Sequence, residues 1–366
     1  MSTTTPLEPD SFAISANLAS PRLPRWAPLL VCVIALGIGG LAAVLLGWSV
    51  VPSLVFAVLL AVIGLPLWSL LLEGKRGAAD RLATSLVWGA FGTVLVPLVW
   101  LIWMVISKGL PAISSEFLTA DMRNVVGAGG GIYHALWGTI LITLAATIIS
   151  VPIGLFTAIY LVEYGRGKRL ARTTTFLVDV MTGIPSIVAG LFALSLFVII
   201  FGPAIRIGFG GAVALSLLMI PTVVRSAEEM LRLVPGDLRE ASYALGIPKW
   251  RTIVKVVLPT SIGGIITGIV LAISRVIGET APLLVVAGST DSVNFNLFDG
   301  RMMTLPVYIF SQYSSPGVVP VGSEGDPPGY ARAWGAALVL IAIVMVLNLV
   351  ARIIGKYFAP KTDRRR

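Results

Sequence analysis

Arg225-Ser-Ala-Glu228-Glu229-Met-Leu-Arg232-Leu-Val-Pro235-Gly-Asp237-Leu-Arg239-Glu240-Ala241-Ser242-Tyr-Ala-Leu-Gly246-Ile-Pro248-Lys249-Trp-Arg251 is the stretch on which the fold turns. It follows an apolar run at 207–224 and precedes another that opens at Leu258-Pro259 and closes near 284. Charges at this density do not rest in hydrocarbon, so the segment reads as a water-facing loop between two membrane spans. Working outward, further apolar runs long enough to cross a bilayer lie at 26–47, 50–72, 84–106, 134–161, 176–201 and 332–354. In lipid, backbone polar groups find partners only within a helix or a closed barrel, and no alternating apolar pattern signals a barrel. The expectation is an all-α polytopic membrane protein of about eight transmembrane helices.

Composition agrees. Of 366 residues, 56% are hydrophobic and 12% charged, and mean hydropathy is +0.92. Cys32 is the only cysteine, which excludes an internal disulfide and a thiolate metal cluster. His134 is the only histidine, which removes His-based triads and clustered His metal sites. With no clustered acid/base set either, the chain is not expected to be an enzyme by itself, nor to hold a cofactor or metal.

The first 25 residues are polar and rich in Pro and Ser, and a cytoplasmic disordered tail is expected at 1–25. The run from Trp26 is too long for a signal-peptide core and lacks a clear A-x-A site, so it reads as a permanent anchor. The net charge of +9 is explained by placement. With the N-terminus inside, Lys108, Arg123, Arg206, Arg301 and Arg332 lie in outer segments and Arg275 lies within a span. All the other Lys and Arg, including the basic tail at 359–366, fall on the cytoplasmic side. Basic residues in short cytoplasmic loops orient helical membrane proteins. Both termini are therefore expected inside, in the cell membrane, with lipid as the surroundings and no nucleic acid as a partner.

The runs at 26–47 and 50–72 are uncharged and joined by Gly47 to Pro52, so they read as a tight transmembrane hairpin. Trp88, Trp100 and Trp103 are read as interfacial anchors. Gly127-Ala-Gly129-Gly130-Gly131 either cradles an anion through backbone N–H groups or gives flexible entry into the next span; no Lys-Ser/Thr follows it, as a P-loop would need. Pro152-Ile-Gly154 and Thr182-Gly183-Ile-Pro185-Ser186, with Gly190, either pack helices closely or break them along a pathway. Asp179 is read as interfacial. The segment 286–331, with Asp291, Asp299, Arg301, Glu324 and Asp326, is the largest outer loop.

Inside the central loop, Asp237 reads as an N-cap and Glu240 as its capping-box partner, with Gly246 and then Pro248 as the stop. A helix from Leu238 to Leu245 is expected, with Leu238, Ala241, Ser242 and Leu245 on one face. So short a helix is not stable alone in water and must dock against something. Arg275 and Glu279 are spaced i, i+4 in the following span, beyond the bilayer middle, so they share a face and can pair. They are either a structural ion pair or an anion site, in which the planar guanidinium fork binds an oxyanion and the carboxylate tempers it.

Glu240-Ala241-Ser242, Gly246 and Val256-x-Leu258-Pro259 resemble the EAA loop of type-1 ABC-importer permeases, E-A-A, three residues, G, nine residues, I-x-L-P; Ser242 and Val256 depart from it conservatively. Gly183-Ile-Pro-Ser186-Ile-Val-Ala-Gly190, Val234-Pro-x-x-Leu-Arg-Glu240-Ala and Arg275-Val-Ile-Gly278-Glu279-Thr280-Ala-Pro282-Leu-Leu are similar to the phosphate-specific transport (Pst) permeases, of the PstA type. The resemblance implies a six-span permease region at 84–358, with a type-1 core at about 134–354 and the coupling loop at 222–257, preceded by the extra hairpin at 26–72. It implies phosphate as substrate, a pathway with Arg275 and Glu279, and ATPase coupling through Glu240, Ala241, Ser242 and Gly246. It implies a PstC-type second permease, two copies of an ATPase subunit that binds the ATP, and an external phosphate-binding protein. Permeases for sulfate, molybdate or phosphonate are the near alternatives, and an ion-coupled secondary carrier a more distant one. The chain has no G-x-x-x-x-G-K-[ST] motif and so is not read as the ATPase itself.

Overall fold

A computed structural model describes residues 23–203, 205–319 and 325–358. Residues 1–22 of the tail expected at 1–25, the tail at 359–366, and Glu324 of the outer loop lie outside the described residues. Among those described there are helices, turns and loops but no strand. Seven helical stretches are long and apolar enough to cross a membrane, and a bent pair brings the number to eight.

The chain divides into two compact units, with the boundary inside a helix after Ile102. The first unit holds α1 (Ala27–Leu46), α2 (Val50–Leu72) and most of α3 (Gly74–Gly109). The left-handed Gly47 (φ +66°) ends α1 and allows the tight return into α2. The hairpin closes because both helices present small residues. A side chain on Gly39 would collide with Ala57 and with the Ser53 carbonyl, so the backbones touch there. At the far end of α2, Glu73 is a polar fastening. Its carboxylate accepts from Arg81 Nη2 (3.2 Å) and Nε (3.3 Å), Ser69 Oγ (2.5 Å) and the Leu23 amide (2.7 Å). The Arg81 hydrogen bonds, then those of Ser69 and Leu23, lower its pKa to about 2.

The second unit contains everything from Trp103 onward. After α4 (Ser115–Thr119) come α5 (Tyr133–Ile159), α6 (Arg169–Thr182), α7 (Ser186–Phe201), α8 (Gly208–Arg232) and α9 (Gly236–Ala244). They are followed by α10 (Lys249–Thr252), α11 (Leu258–Val276), α12 (Ala281–Val286), α13 (Leu305–Ser314) and α14 (Pro328–Phe358). The core lies between α5 and α8, where Ile142, Ala146, Leu215, Met219 and Val223 are fully enclosed. Gly154 makes that approach possible: a Cβ there would lie 2.6 Å from Val223 Cγ1. One-turn π segments extend α5 (Tyr160–Tyr164) and join α10 to α11 (Ile253–Val257).

Two expected spans are not continuous. The run at 176–201 breaks at Gly183-Ile184-Pro185, and α6 and α7 meet at 108°. Pro185 has no amide hydrogen to donate and its ring disfavours helical geometry at Ile184, so the break falls there. α6 is strongly amphipathic, whereas α7 is apolar throughout. The run at 258–284 ends as a helix at Val276, and a short turn through Gly278 separates it from α12. In contrast, α8 runs unbroken beyond the expected 224 into the charged segment, as far as Arg232.

Candidate functional site

α9 and its anchorage come first. The helix begins at Gly236, with Pro235 in the N-cap position. Asp237 therefore sits inside the first turn and makes no capping bond, so the expected capping box with Glu240 is not formed. Proline's fixed φ just ahead of the helix sets the start instead, and Asp237 acts through the helix dipole. The stop is as expected. Gly246 is left-handed (φ +74°), its amide donates to the Tyr243 carbonyl (2.9 Å), and the Ile247 amide donates to that of Ser242 (3.2 Å). That pair of bonds is a Schellman motif.

The expected single docking face divides in two. Ser242 is buried within this chain, its hydroxyl 2.8 Å from that of Thr252. Glu240, Ala241, Gly246, Leu238 and Leu245 are exposed, Leu245 to 79%. Ser242 thus fastens the helix down, while its neighbours leave a surface free. Arg239 also points inward, and its guanidinium donates to the carboxylate of Glu163 at the end of α5.

Beside this end of the bundle, charges link α6 to α8. Arg225 of α8 pairs with Asp179 of α6 and with Glu228 (2.9 Å), and Glu228 also holds Arg232 (2.5 Å). Asp179 is therefore tied to α8.

Arg275 and Glu279 are not a pair. The i, i+4 relation requires one helix, but α11 ends at Val276 and the Glu279 amide donates to the Val276 carbonyl across a turn (3.1 Å). Arg275 is exposed in the last turn of α11, and Glu279 is half-buried in the break that follows. The break itself is well held. A Cβ on Gly190 would lie 2.6 Å from Pro282 Cα, so the Gly183–Gly190 and Arg275–Pro282 motifs are brought together in space.

A feature that sequence reading missed runs along α11. Thr260, Gly264, Thr267, Gly268 and Leu271 line a cleft of about 430 Å³ closed on its other side by Ser226, Glu229, Met230 and Gly355. At 100° per residue these α11 positions share one face with Arg275. The signal was present as Thr and Gly recurring at helical spacing, but small residues in a span usually denote packing alone.

The glycine cluster and the histidine are placed differently. Carbonyls of Gly127 and Gly129 accept from Arg332 Nη1 (2.9 and 3.0 Å), so this loop cradles a cation of its own chain rather than an anion. His134 is enclosed, with its ring edge-on to Tyr308 at 5.4 Å. No group of three His, Cys, Asp or Glu side chains that could hold a metal occurs among the described residues.

Comparison with known proteins adds a further finding. Residues 150–364 match the family described as "Binding-protein-dependent transport system inner membrane component". A phosphate transport system permease protein PstA 1 of Mycobacterium tuberculosis is 48% identical over 293 residues, covering 79% of this chain and 91% of that relative. A phosphate transport system permease protein PstA of Yersinia pestis is 40% identical over 292 residues, covering 79% and 93%. Among solved structures, an inward-facing MetNI methionine ABC transporter chain aligns with a TM-score of 0.49 at 20% identity, over 62% of this chain and 96% of that one.

Proposed function

The chain belongs to the binding-protein-dependent transport system inner membrane components, among relatives that are phosphate transport system permease proteins PstA, and from this membership we propose how it works. It is the PstA-type half of the membrane path of an ATP-driven phosphate importer. α9 lies on the cytoplasmic side and is the helix that a separate ATPase subunit grips. One observation carries this: a short helix with a complete Schellman stop leaves Glu240, Ala241, Leu245 and Gly246 uncovered, while Ser242 and Arg239 hold it from beneath. An isolated nine-residue helix with an exposed apolar residue such as Leu245 is stable only against a partner.

The path runs beside α11. Its Thr/Gly face gives a narrow, mostly apolar wall carrying Thr260 and Thr267, on the same side of the helix as Arg275, whose guanidinium donates a fork of hydrogen bonds to phosphate. Glu279, in the break that follows α11 rather than across a helical turn, limits how long the anion stays by like-charge repulsion. Ser226, Glu229 and Met230 of α8 and Gly355 of α14 close the cleft itself, a PstC-type second permease completes the membrane path, and an external binding protein delivers phosphate. ATP-driven closure of two ATPase copies draws the paired α9 helices together, and hydrolysis releases them, alternating access to Arg275. Both termini lie in the cytoplasm.

The test is co-purification with labelling. A cysteine replacing the exposed Tyr243 should react with an impermeant thiol reagent from the cytoplasmic side, and the ATPase should protect it. Reaction from outside would overturn both the orientation and the coupling role. Uptake competed equally by sulfate or molybdate would replace phosphate as the cargo.

A further inference from the structure

The charged pair beneath α9 is more elaborate than attachment requires. The Arg239 side chain is 11% exposed and that of Glu163 is 5% exposed. Arg239 Nε and Nη2 both donate to Glu163 Oε1 (3.0 and 2.8 Å). Nη2 also donates to the Leu231 carbonyl (2.9 Å), and Nη1 to those of Val234 (2.6 Å) and Pro235 (3.4 Å). One guanidinium therefore holds the end of α5, the last turn of α8 and the linker into α9. Lys249, just past the Schellman stop, donates from Nζ to the Glu163 carbonyl and lies 4.9 Å over the Tyr164 ring. Glu163 thus receives α9 through its side chain and the start of α10 through its backbone, so both ends of the segment around the Schellman stop meet on one residue. It sits in the π segment Tyr160–Tyr164, a local departure from regular helix of the kind that often marks functional positions.

We propose that Glu163 and Arg239 are positioning residues for transport, the joint through which movement of α9 is passed into α5 and from there into the α5–α8 core. This rests on the reading of α9 as the ATPase-gripped helix. Most of α9 is exposed, so apolar packing fixes its direction weakly, and the ionic fork fixes it instead. Arg239 Nε and Nη2 converge on one oxygen of Glu163, and the Leu231 and Val234 carbonyls accept from the same guanidinium, so its plane is held on several sides and resists both sliding and rotation, which a single point contact does not. Without it, the ATPase still grips α9, but the helix pivots without turning α5.

The experiment uses the complete transporter in proteoliposomes, with ATP hydrolysis and phosphate uptake measured together. Glu163→Gln keeps the shape and removes the charge; Arg239→Lys keeps the charge and removes the fork. Each is expected to retain ATPase association and hydrolysis while uptake per ATP falls roughly tenfold. The exchanged pair Glu163→Arg with Arg239→Glu is expected to recover part of that ratio. A wild-type ratio in Glu163→Gln or Arg239→Lys overturns the joint. Hydrolysis and uptake falling in equal proportion in all three variants assigns the pair a purely structural role and also overturns it. If the ATPase fails to associate even with the unaltered chain, it is the reading of α9 that fails, and the two failures are told apart.

Discussion

Gly246 shows how much one residue decides. Its left-handed backbone completes the Schellman motif, and a Cβ there would meet nothing within 4 Å in this chain. Gly246→Asp should therefore cost the fold only about 1 kcal/mol, since Asp tolerates that conformation better than most residues. The new carboxylate would project from the free surface of α9. ATPase co-purification should drop sharply while the melting temperature of the purified permease barely moves; undiminished association would remove α9 from the interface. Arg275→Gln is expected to leave assembly intact and lower phosphate uptake at least tenfold, because an amide offers neither charge nor fork. A transport assay beside a co-purification separates the two. Glu73 supplies the pH case. Its folded pKa is lowered to about 2 from an ordinary 4.5, so its contribution is fully present above 4.5 and disappears as pH falls through about 2. The Leu23 amide, bonded to that carboxylate, should lose hydrogen-exchange protection over the same window. Gly246 as the stop of its helix was legible in sequence because a glycine just past a short helix has a specific backbone meaning. The Arg275–Glu279 spacing misled, since i, i+4 presupposes a continuous helix and Gly278 lies between them.

At the level of elements, the informative events are interruptions. Pro185 was visible as a possible breaker, but the 108° angle between α6 and α7 was not. Periodicity reports whether a segment is helical and which side is apolar; it carries no direction across a break. α7 alone, 16 residues at about 1.5 Å each, reaches about 24 Å, short of a hydrocarbon core of about 30 Å, so the bent α6–α7 pair forms either one broken span or a re-entrant loop. The other hidden relation was the contact between Gly190 and Pro282, motifs far apart in sequence whose closeness no local pattern encodes. Placing a Cβ 2.6 Å from Pro282 Cα requires backbone to shift. Gly190→Val should therefore destabilise the protein by about 1–3 kcal/mol. Thermal unfolding in detergent measures this, with Gly92→Val on α3, a half-buried position where a Cβ meets nothing within 4 Å, as the neutral comparison. A similar unfolding temperature for both would show that the α7–α12 seam yields more easily than its geometry implies.

On the scale of the molecule, the number of crossings and their charge bias were legible because hydrophobicity and basic loops act over whole segments. The division after Ile102 was not, since nothing in the apolar composition of α3 changes there. All the residues assigned to coupling and pathway fall in the second unit. Removing residues 23–72 deletes two crossings and so preserves orientation. The shortened chain is expected to present Tyr243→Cys to the same side and still bind the ATPase, read by the labelling assay; inverted labelling would make the hairpin a determinant of topology. Finally, α8 is the most enclosed candidate span, with 61% of its apolar window buried against 6% for α14. More than half of that window is covered by its own chain, which leaves α8 little surface toward water outside the cleft beside α11. On the function proposed above, water and cargo travel along this subunit's flank, and the companion permease opposite shares in deciding which anion passes. Selectivity is then joint property: exchanging the companion subunit for a distant one should alter discrimination between oxyanions even though this sequence is left untouched.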